Sequence, residues 1–235
     1  MFRDLDEALK TFHIEAKDDR IFDGIEKLRL AIRHSGESVT YFDYGAGKPD
    51  MELTAEEMYQ GRRVTKQLSE VCGWGMKGDW ARFMFGIVKH MRPAKVLELG
   101  TCCGFSSAYM SYGCDDSLII TLEGAPEIHA VAEKVHSSLD RKNIVRVTGR
   151  FQDRLQGVLS EHGHFDLAFI DGHHDKDATV GYFRQIIPHS TGSTLIFDDI
   201  AWSDGMKEAW DVIRNDACVE EHSDLGKIGV IKLRG

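Results

Sequence analysis

The 235-residue chain has only four prolines, none adjacent to another, no CxxC pair among its five cysteines and no run of Lys and Arg. No apolar stretch approaches the length of about 18 residues that a membrane span needs. Each absence narrows the field. Cysteines at 72, 102, 103, 114 and 218 form an odd set without paired spacing, which argues against a disulfide framework or a zinc site and for a reducing compartment. With 29 basic against 38 acidic residues and a net charge of -9, the chain lacks the basic tracts that follow a phosphate backbone, so nucleic acid is not an expected partner. The opening "MFRDLDEALKTFHIEAKDDRIFDG" carries charges every few residues and has no apolar core of a secretory signal. The expectation is a soluble, cytoplasmic protein without a membrane partner.

What is present is enough apolar material, 42% of residues, to bury one sizeable core. From about residue 79 onward, short apolar runs end in Gly or Asp: "KVLELG", "LIITLEG", "IVRVTG", "FDLAFIDG" and "STLIFDD". Helix-compatible segments such as "PEIHAVAEKVHSSL" and "DATVGYFRQII" separate them, which predicts right-handed βαβ units and a buried parallel sheet. The tail "ACVEEHSDLGKIGVIKLRG" breaks the rhythm, because "SDLGK" is too short for a helical crossover and the two flanking runs must pair antiparallel. The fold class is therefore α/β: a doubly wound, mostly parallel, seven-stranded sheet with an antiparallel last strand. Residues 1–78 read as a partly helical N-terminal extension packed on a core domain of residues 79–235. Thr54 and Glu57 have capping-box spacing, predicting a helix start there.

Two stretches resemble a nucleotide-binding loop: "VTYFDYGAGKPD" (39–50) and "KVLELGTCCGFSS" (95–107). Such a loop needs a second parallel strand about 20 residues later, ending in an acid that can hold a ribose. The first is followed by Pro49 and a helical pattern without an apolar strand. The second is followed by "LIITLEG", which places Glu123 at the required strand end. Within that loop Cys102 occupies the position of the middle glycine of GxGxxG, between Gly100 and Gly104, which disfavours a pyrophosphate and hence a nicotinamide dinucleotide. A phosphate-free cofactor fits better, with Glu98 available to a methionine ammonium. Tight strand-to-helix packing is the alternative reason for the two glycines.

The combination "KVLELGTCCGFSSAYM", "TLEGAPE", "TGRFQDRL", "FDLAFIDGHH" and "LIFDDIAW" resembles the class I S-adenosylmethionine-dependent O-methyltransferases, over roughly residues 74–235. Within them the pattern is similar to catechol and caffeoyl-CoA O-methyltransferase-like enzymes and bacterial relatives with FIDGxH and IFDDI motifs. The resemblance implies a Rossmann-like methyltransferase fold, S-adenosylmethionine as cofactor and a small hydroxylated acceptor, with a homodimer as an option. It assigns Met76, Glu98 and Gly100 to the methionine end, Ser106 to its carboxylate, Glu123 to the ribose, and Phe151 and Gln152 to the adenine. Cys102, Gly124, Asp171 and His173 complete the implied cofactor set.

Asp171 ends one central strand and Asp198–Asp199 ends its expected neighbour, so three carboxylates open into one crevice. Like charges that close need a cation, and an oxygen-only set suits Mg²⁺ or another hard divalent ion that would orient and acidify an acceptor hydroxyl. The resemblance likewise implies Asp171, Asp198 and Asp199 as metal ligands, although its animal and plant members typically carry Asn at the position of Asp199. His174 takes the place of the family's general base, often a lysine; a neutral imidazole suits that task, with His173 as the alternative and Asp171 beside it. Solvent-facing loop histidines and capping or ion-paired aspartates are the plainer readings. Trp202, Trp74 and Trp80 are candidate acceptor-pocket walls, and Trp210 is read as helix core.

Base-methylating enzymes on the same fold need paired prolines or a Pro-Cys nucleophile, both missing here. A cofactor-binding protein without catalysis, and transfer to nitrogen or to a sugar or natural product without metal, remain as alternatives. "VTYFDYGAG" is then a glycine turn before the Thr54 helix or a lid over the acceptor crevice carrying Tyr41 and Tyr44.

Overall fold

The computed structural model describes every residue except 49, 50 and 52; Pro49, read above as punctuation after the first glycine loop, lies outside the described residues. The chain opens with α1 (Leu5–Thr11) and α2 (Asp19–Arg33), then β1 (Ser38–Asp43), α3 (Ala55–Gln60), β2 (Arg62–Gln67) and α4 (Leu68–Val71). The Thr54–Glu57 capping box forms as its spacing predicts. The helix it starts is shorter than the sequence pattern suggests. Gly61, at φ +72°, stops it, and "RRVTKQ" leaves the helix to pair antiparallel with β1. Alternating exposure along β2 is the period-two signature that the charge density of this segment hides.

The second part alternates helix and strand as far as β8 and ends on a hairpin: α5 (Gly78–Met91), β3 (Lys95–Leu99), α6 (Phe105–Gly113), β4 (Leu118–Glu123), α7 (Pro126–Ser138), β5 (Ile144–Thr148), α8 (Phe151–His162), β6 (Leu167–Ile170), α9 (Lys176–Ile186), β7 (Thr194–Phe197), α10 (Asp204–Arg214), β8 (Val219–Asp224) and β9 (Gly229–Leu233). The strands form one seven-stranded sheet in the order β5-β4-β3-β6-β7-β9-β8. All pairs from β5 to β7 are parallel, and β9 runs antiparallel to both β7 and β8. This is the predicted architecture.

Because both faces of the parallel strands are covered, their side chains are apolar in both directions. Leu97 and Leu99 point into one core layer with Leu122, Phe183 and Phe197, while Val96 joins Phe83, Met84 and Phe169 on the other side. Glu98 and Thr121, opposite each other in the β3–β4 register, are fully buried polar exceptions within this apolar pattern.

The N-terminal segments pack against α5 and α6. Phe12 lies 5.6 Å from Phe83, and Phe22 sits between Phe85 at 5.2 Å and Tyr109 at 5.6 Å, centroid to centroid. Arg29 of α2 is 1% exposed. Its guanidinium lies 3.9 Å over the Phe105 ring, pairs with Glu26 and donates to the carbonyls of Cys72 (2.8 Å) and Met76, thereby holding the loop before α5. A buried carbonyl left without its donor loses about 1–3 kcal/mol. Arg29→Ala is expected to destabilise the protein by about 3 kcal/mol in urea unfolding, since two carbonyls lose their partners; a change near zero would mean that water replaces the guanidinium.

Candidate active-site crevice

The strand order reverses between β3 and β6, so the loops that follow these two strands part in opposite directions and leave a crevice at their carboxyl ends. The loops touch at its floor. Gly100 has φ +109°, and a Cβ there would lie 1.8 Å from the carbonyl oxygen of Asp171. Only glycine fits both the dihedral and the contact.

Several crevice residues share another backbone signature. Cys102, His173, His174 and Asp199 are four of the seven non-glycine residues with positive φ among the described residues. Left-handed backbone is costly for such residues and is held in place by surrounding structure, a feature that concentrates at functional sites.

On the β3–β4 side, Glu98 accepts from Thr121 through Oε2, whereas its Oε1 is buried without a hydrogen-bond partner. Burial pushes its carboxyl up to about 7, despite the hydroxyls of Ser106, Thr121 and Ser107 beside it. Ser106 lies in the first turn of α6, whose N-terminus begins at Gly104 without a side-chain cap, leaving backbone N–H groups for an anion. Glu123, at the end of β4, accepts from the backbone N–H of Cys102 and of Ala125, both at 2.9 Å. Burial raises its carboxyl above the ordinary range against those two bonds. Each of its oxygens keeps a free lone pair. Met76 is buried in the layer beneath.

Phe151 starts α8, its ring 5.7 Å from Tyr182 and so close to Gly172 that a Cβ there would be 2.8 Å from the ring. Gln152 approaches His173 Nδ1 at 3.4 Å, and that nitrogen bonds the Tyr182 hydroxyl at 2.8 Å. His173 is therefore a buried member of this wall, not an open base. Gly124 is covered by Tyr44, whose ring a Cβ would meet at 2.9 Å. The "DYGAG" turn is fixed over the crevice by a bond from Ala46 N–H to the His173 carbonyl, 2.8 Å. It covers the Glu123–Gly124 edge. Tyr41, which the lid reading would turn toward the acceptor, points into the core with Phe22 and Phe85, because alternate residues of β1 face opposite ways.

Across the crevice, His174 Nε2 lies 3.7 Å from Asp171 Oδ1 and 4.0 Å from Asp199 Oδ2, with its ring 5.7 Å from that of Trp202. Burial lowers its pKa from 6.5, which keeps the imidazole neutral. Asp171 and Asp198 are pushed up, first by burial and then by neighbouring carboxylates or eased by Lys227. Sequence reasoning brings the three aspartates together correctly but overlooks their partner. Lys227, in the β8–β9 turn, places its Nζ 2.6 Å from Asp198 Oδ1, against Asp198 Oδ2 as well, and 3.3 Å from Asp199 Oδ1. Among the described residues no group of three or more His, Cys, Asp or Glu side chains is arranged to hold a metal ion. Of the donor set predicted for a divalent cation, Asp198 and Asp199 are thus paired with Lys227, and Asp171 faces His174. The signal for Lys227 was available: antiparallel β9 must begin where β7 ends, Gly229 opposite Phe197, which brings the preceding turn beside Asp198–Asp199.

Trp210 is core as expected, and Trp80 also packs inward, 6.4 Å from Phe83, while Trp74 is 52% exposed. Two surface hollows of about 390 and 330 Å³, one along α1 and one between α10 and the β8–β9 turn, include none of the crevice carboxylates. No helix among the described residues is long and apolar enough to cross a membrane.

Residues 97–200 match the family described as a methyltransferase domain. A curated relative, the catechol O-methyltransferase of Mycobacterium tuberculosis, is 29% identical over 131 residues, covering 53% of this chain and 56% of that protein. The chain thus aligns with just over half the length of this relative. Among solved structures, an O-methyltransferase from Bacillus cereus in complex with SAH superposes with a TM-score of 0.63 at 16% identity, covering 91% of each chain. The SAH-bound Podospora anserina methyltransferase PaMTH1 gives 0.61 at 16% identity over 70% of this chain and 82% of that one. At such identities the superpositions establish the fold. The fold is that of the class I methyltransferases among these solved structures. The domain match and the curated relative show that the stretch from β3 to the start of the β7–α10 loop is similar to methyltransferase domains, and the superpositions show that the chain has their fold.

The buried Glu98 makes a separate prediction about stability. An acid whose folded pKa is raised binds its proton more tightly in the native state, so stability is greatest below its unfolded pKa and falls as pH rises through the folded one. For Glu98 the window runs from 4.5 to about 7. Glu98→Gln is expected to remove on the order of 3 kcal/mol of this decline, measured as unfolding free energy across that window; an unchanged slope would show that Glu98 is ionised throughout.

Proposed function

We propose that the protein transfers the methyl group of S-adenosylmethionine to a hydroxyl of a small-molecule acceptor. The observation that carries the reading is the buried, partnerless Oε1 of Glu98, set beside the uncapped start of α6 and one strand away from Glu123. A buried carboxylate oxygen without a donor is costly, and a cationic ammonium would satisfy it. The cofactor would supply an electrophilic methyl on a sulfonium centre. Glu98 binds the amino group, the first-turn N–H groups of α6 with Ser106 receive the carboxylate, and the free lone pairs of Glu123 accept the ribose hydroxyls. Phe151 and Gln152 line the adenine side, with Tyr44 closing it from above.

His174 is the proposed base. Its neutral imidazole faces the crevice between Asp171 and Asp199, held in a left-handed turn and against Trp202, so one nitrogen can accept the hydroxyl proton while Asp171 stabilises the imidazolium that forms. Trp202 and the "DYGAG" turn restrict water around that proton transfer. No step is assigned to a metal ion, because Lys227 already occupies the carboxylates that would bind it.

Glu123→Ala is expected to weaken S-adenosylmethionine binding by about 1–3 kcal/mol through lost charged hydrogen bonds, read by tryptophan fluorescence or calorimetry; unchanged affinity would remove Glu123 from the site. His174→Ala should lower turnover about 100-fold or more with cofactor affinity retained. A methyl-release assay over phenols, sugars and other hydroxylated metabolites tests the reaction itself. Cofactor binding with no transfer to any of them would favour a binding protein without catalysis.

A further inference from the structure

The carboxylate cluster departs from what the motifs imply, and the departure is built into the fold. Lys227 keeps part of its side chain exposed but is anchored beside the aspartates through its backbone. Its carbonyl accepts from Ile200 N–H at 3.1 Å, directly after the aspartate pair. The turn it sits in is closed by Leu225 N–H to the Ile228 carbonyl, 2.8 Å, and by Gly226 N–H to Asp224 Oδ1, 2.9 Å. Asp224 is in turn held by the indole N–H of Trp210 at 3.2 Å. With β9 paired to β7 through Gly229 and Phe197, the lysine stem can only start beside Asp198, and its ammonium covers both Asp198 oxygens and reaches Asp199.

We propose that Lys227 is the resident cation of this crevice, taking the place of a divalent metal ion, so that the protein holds its acidic cluster without binding Mg²⁺ or Mn²⁺ there. A hard divalent ion needs the same carboxylate oxygens at about 2.0–2.6 Å. It would have to break the contacts of Lys227 with Asp198 and tolerate an ammonium beside it, and like charges at that separation repel strongly where water is scarce. The chemistry that follows differs too. The three protons of the ammonium are turned to oxygens of Asp198 and Asp199, whereas a hard metal ion would keep open positions that can chelate two adjacent acceptor oxygens. On the methyltransferase reading, on which this last point rests, the acceptor is not chelated by the cluster and needs no second hydroxyl beside the reacting one.

The experiment is Mn²⁺ titration of the full chain by electron paramagnetic resonance, for the wild type, Lys227→Met and Lys227→Met with Asp198→Asn. The wild type is expected to show no saturable site at millimolar Mn²⁺, Lys227→Met to gain one, and the double variant to lose it again. One saturable site in the wild type, or a folded Lys227→Met protein that gains none, overturns the proposal. Should Lys227→Met not fold, the wild type decides alone through its melting temperature, which rises with Mg²⁺ only if the native state binds the ion: an unchanged value supports the proposal, and a saturable rise overturns it. In parallel, EDTA should leave methyl release by the wild type unchanged. Absence of methyl release with or without Mn²⁺ would count against the methyltransferase reading, while the metal titration keeps its meaning.

Discussion

The crevice depends on the contact at its floor, where the backbone of Gly100 lies against the carbonyl of Asp171. Parallel strands β3 and β6 are hydrogen-bonded neighbours, yet their following helices cover opposite faces of the sheet, so the two loops must separate immediately after touching. A side chain at position 100 would wedge them apart and tilt the strand ends. With glycine there, the loops diverge from a shared point, Glu98 and Asp171 end up on adjoining strands, and every other candidate site residue is positioned relative to that junction.

A second requirement comes from collecting carboxylates where little water reaches them. Glu98, Glu123, Asp171 and Asp198 all lie at or near the carboxyl ends of neighbouring strands, and burial raises each of them above its ordinary range. The protein compensates the two halves differently. Glu123 is held by backbone N–H groups and Glu98 by hydroxyls with one oxygen spare, an arrangement suited to receiving a cationic, hydroxyl-bearing ligand. Asp198 and Asp199 are held by Lys227, an arrangement complete within the chain. The N-terminal region contributes to the first half: Arg29 fixes the loop through Met76, and the "DYGAG" turn lays Tyr44 over Gly124.

Much of the site was legible because its determinants are local. A strand that ends in an acid followed by spaced glycines announces its own loop, and an acid at the end of the next strand confirms it, so Glu98, Gly100 and Glu123 could be placed from spacing alone. Asp171 and the Asp198–Asp199 pair were readable for the same reason. The β2 strand was not, since its alternation is written in charged residues and its stability comes from pairing with β1. Nor was the inward direction of Tyr41, which depends on which face of that small sheet meets the helices.

By itself, then, the sequence determined the α/β rhythm, the glycine loop that opens the crevice and the set of carboxylates at the strand ends, because each follows from residues close together along the chain. Only the tertiary structure decided what those carboxylates face. Lys227 comes from a hairpin turn almost thirty residues beyond Asp198, Arg29 from a helix more than forty residues before the loop it clamps, and Tyr44 from a turn before the sheet begins. Charge compensation inside a folded protein acts through space, over a few ångströms, whatever the separation along the chain. For that reason the same three aspartates read as a metal site in the sequence, while in the fold two of them pair with Lys227 and Asp171 faces His174.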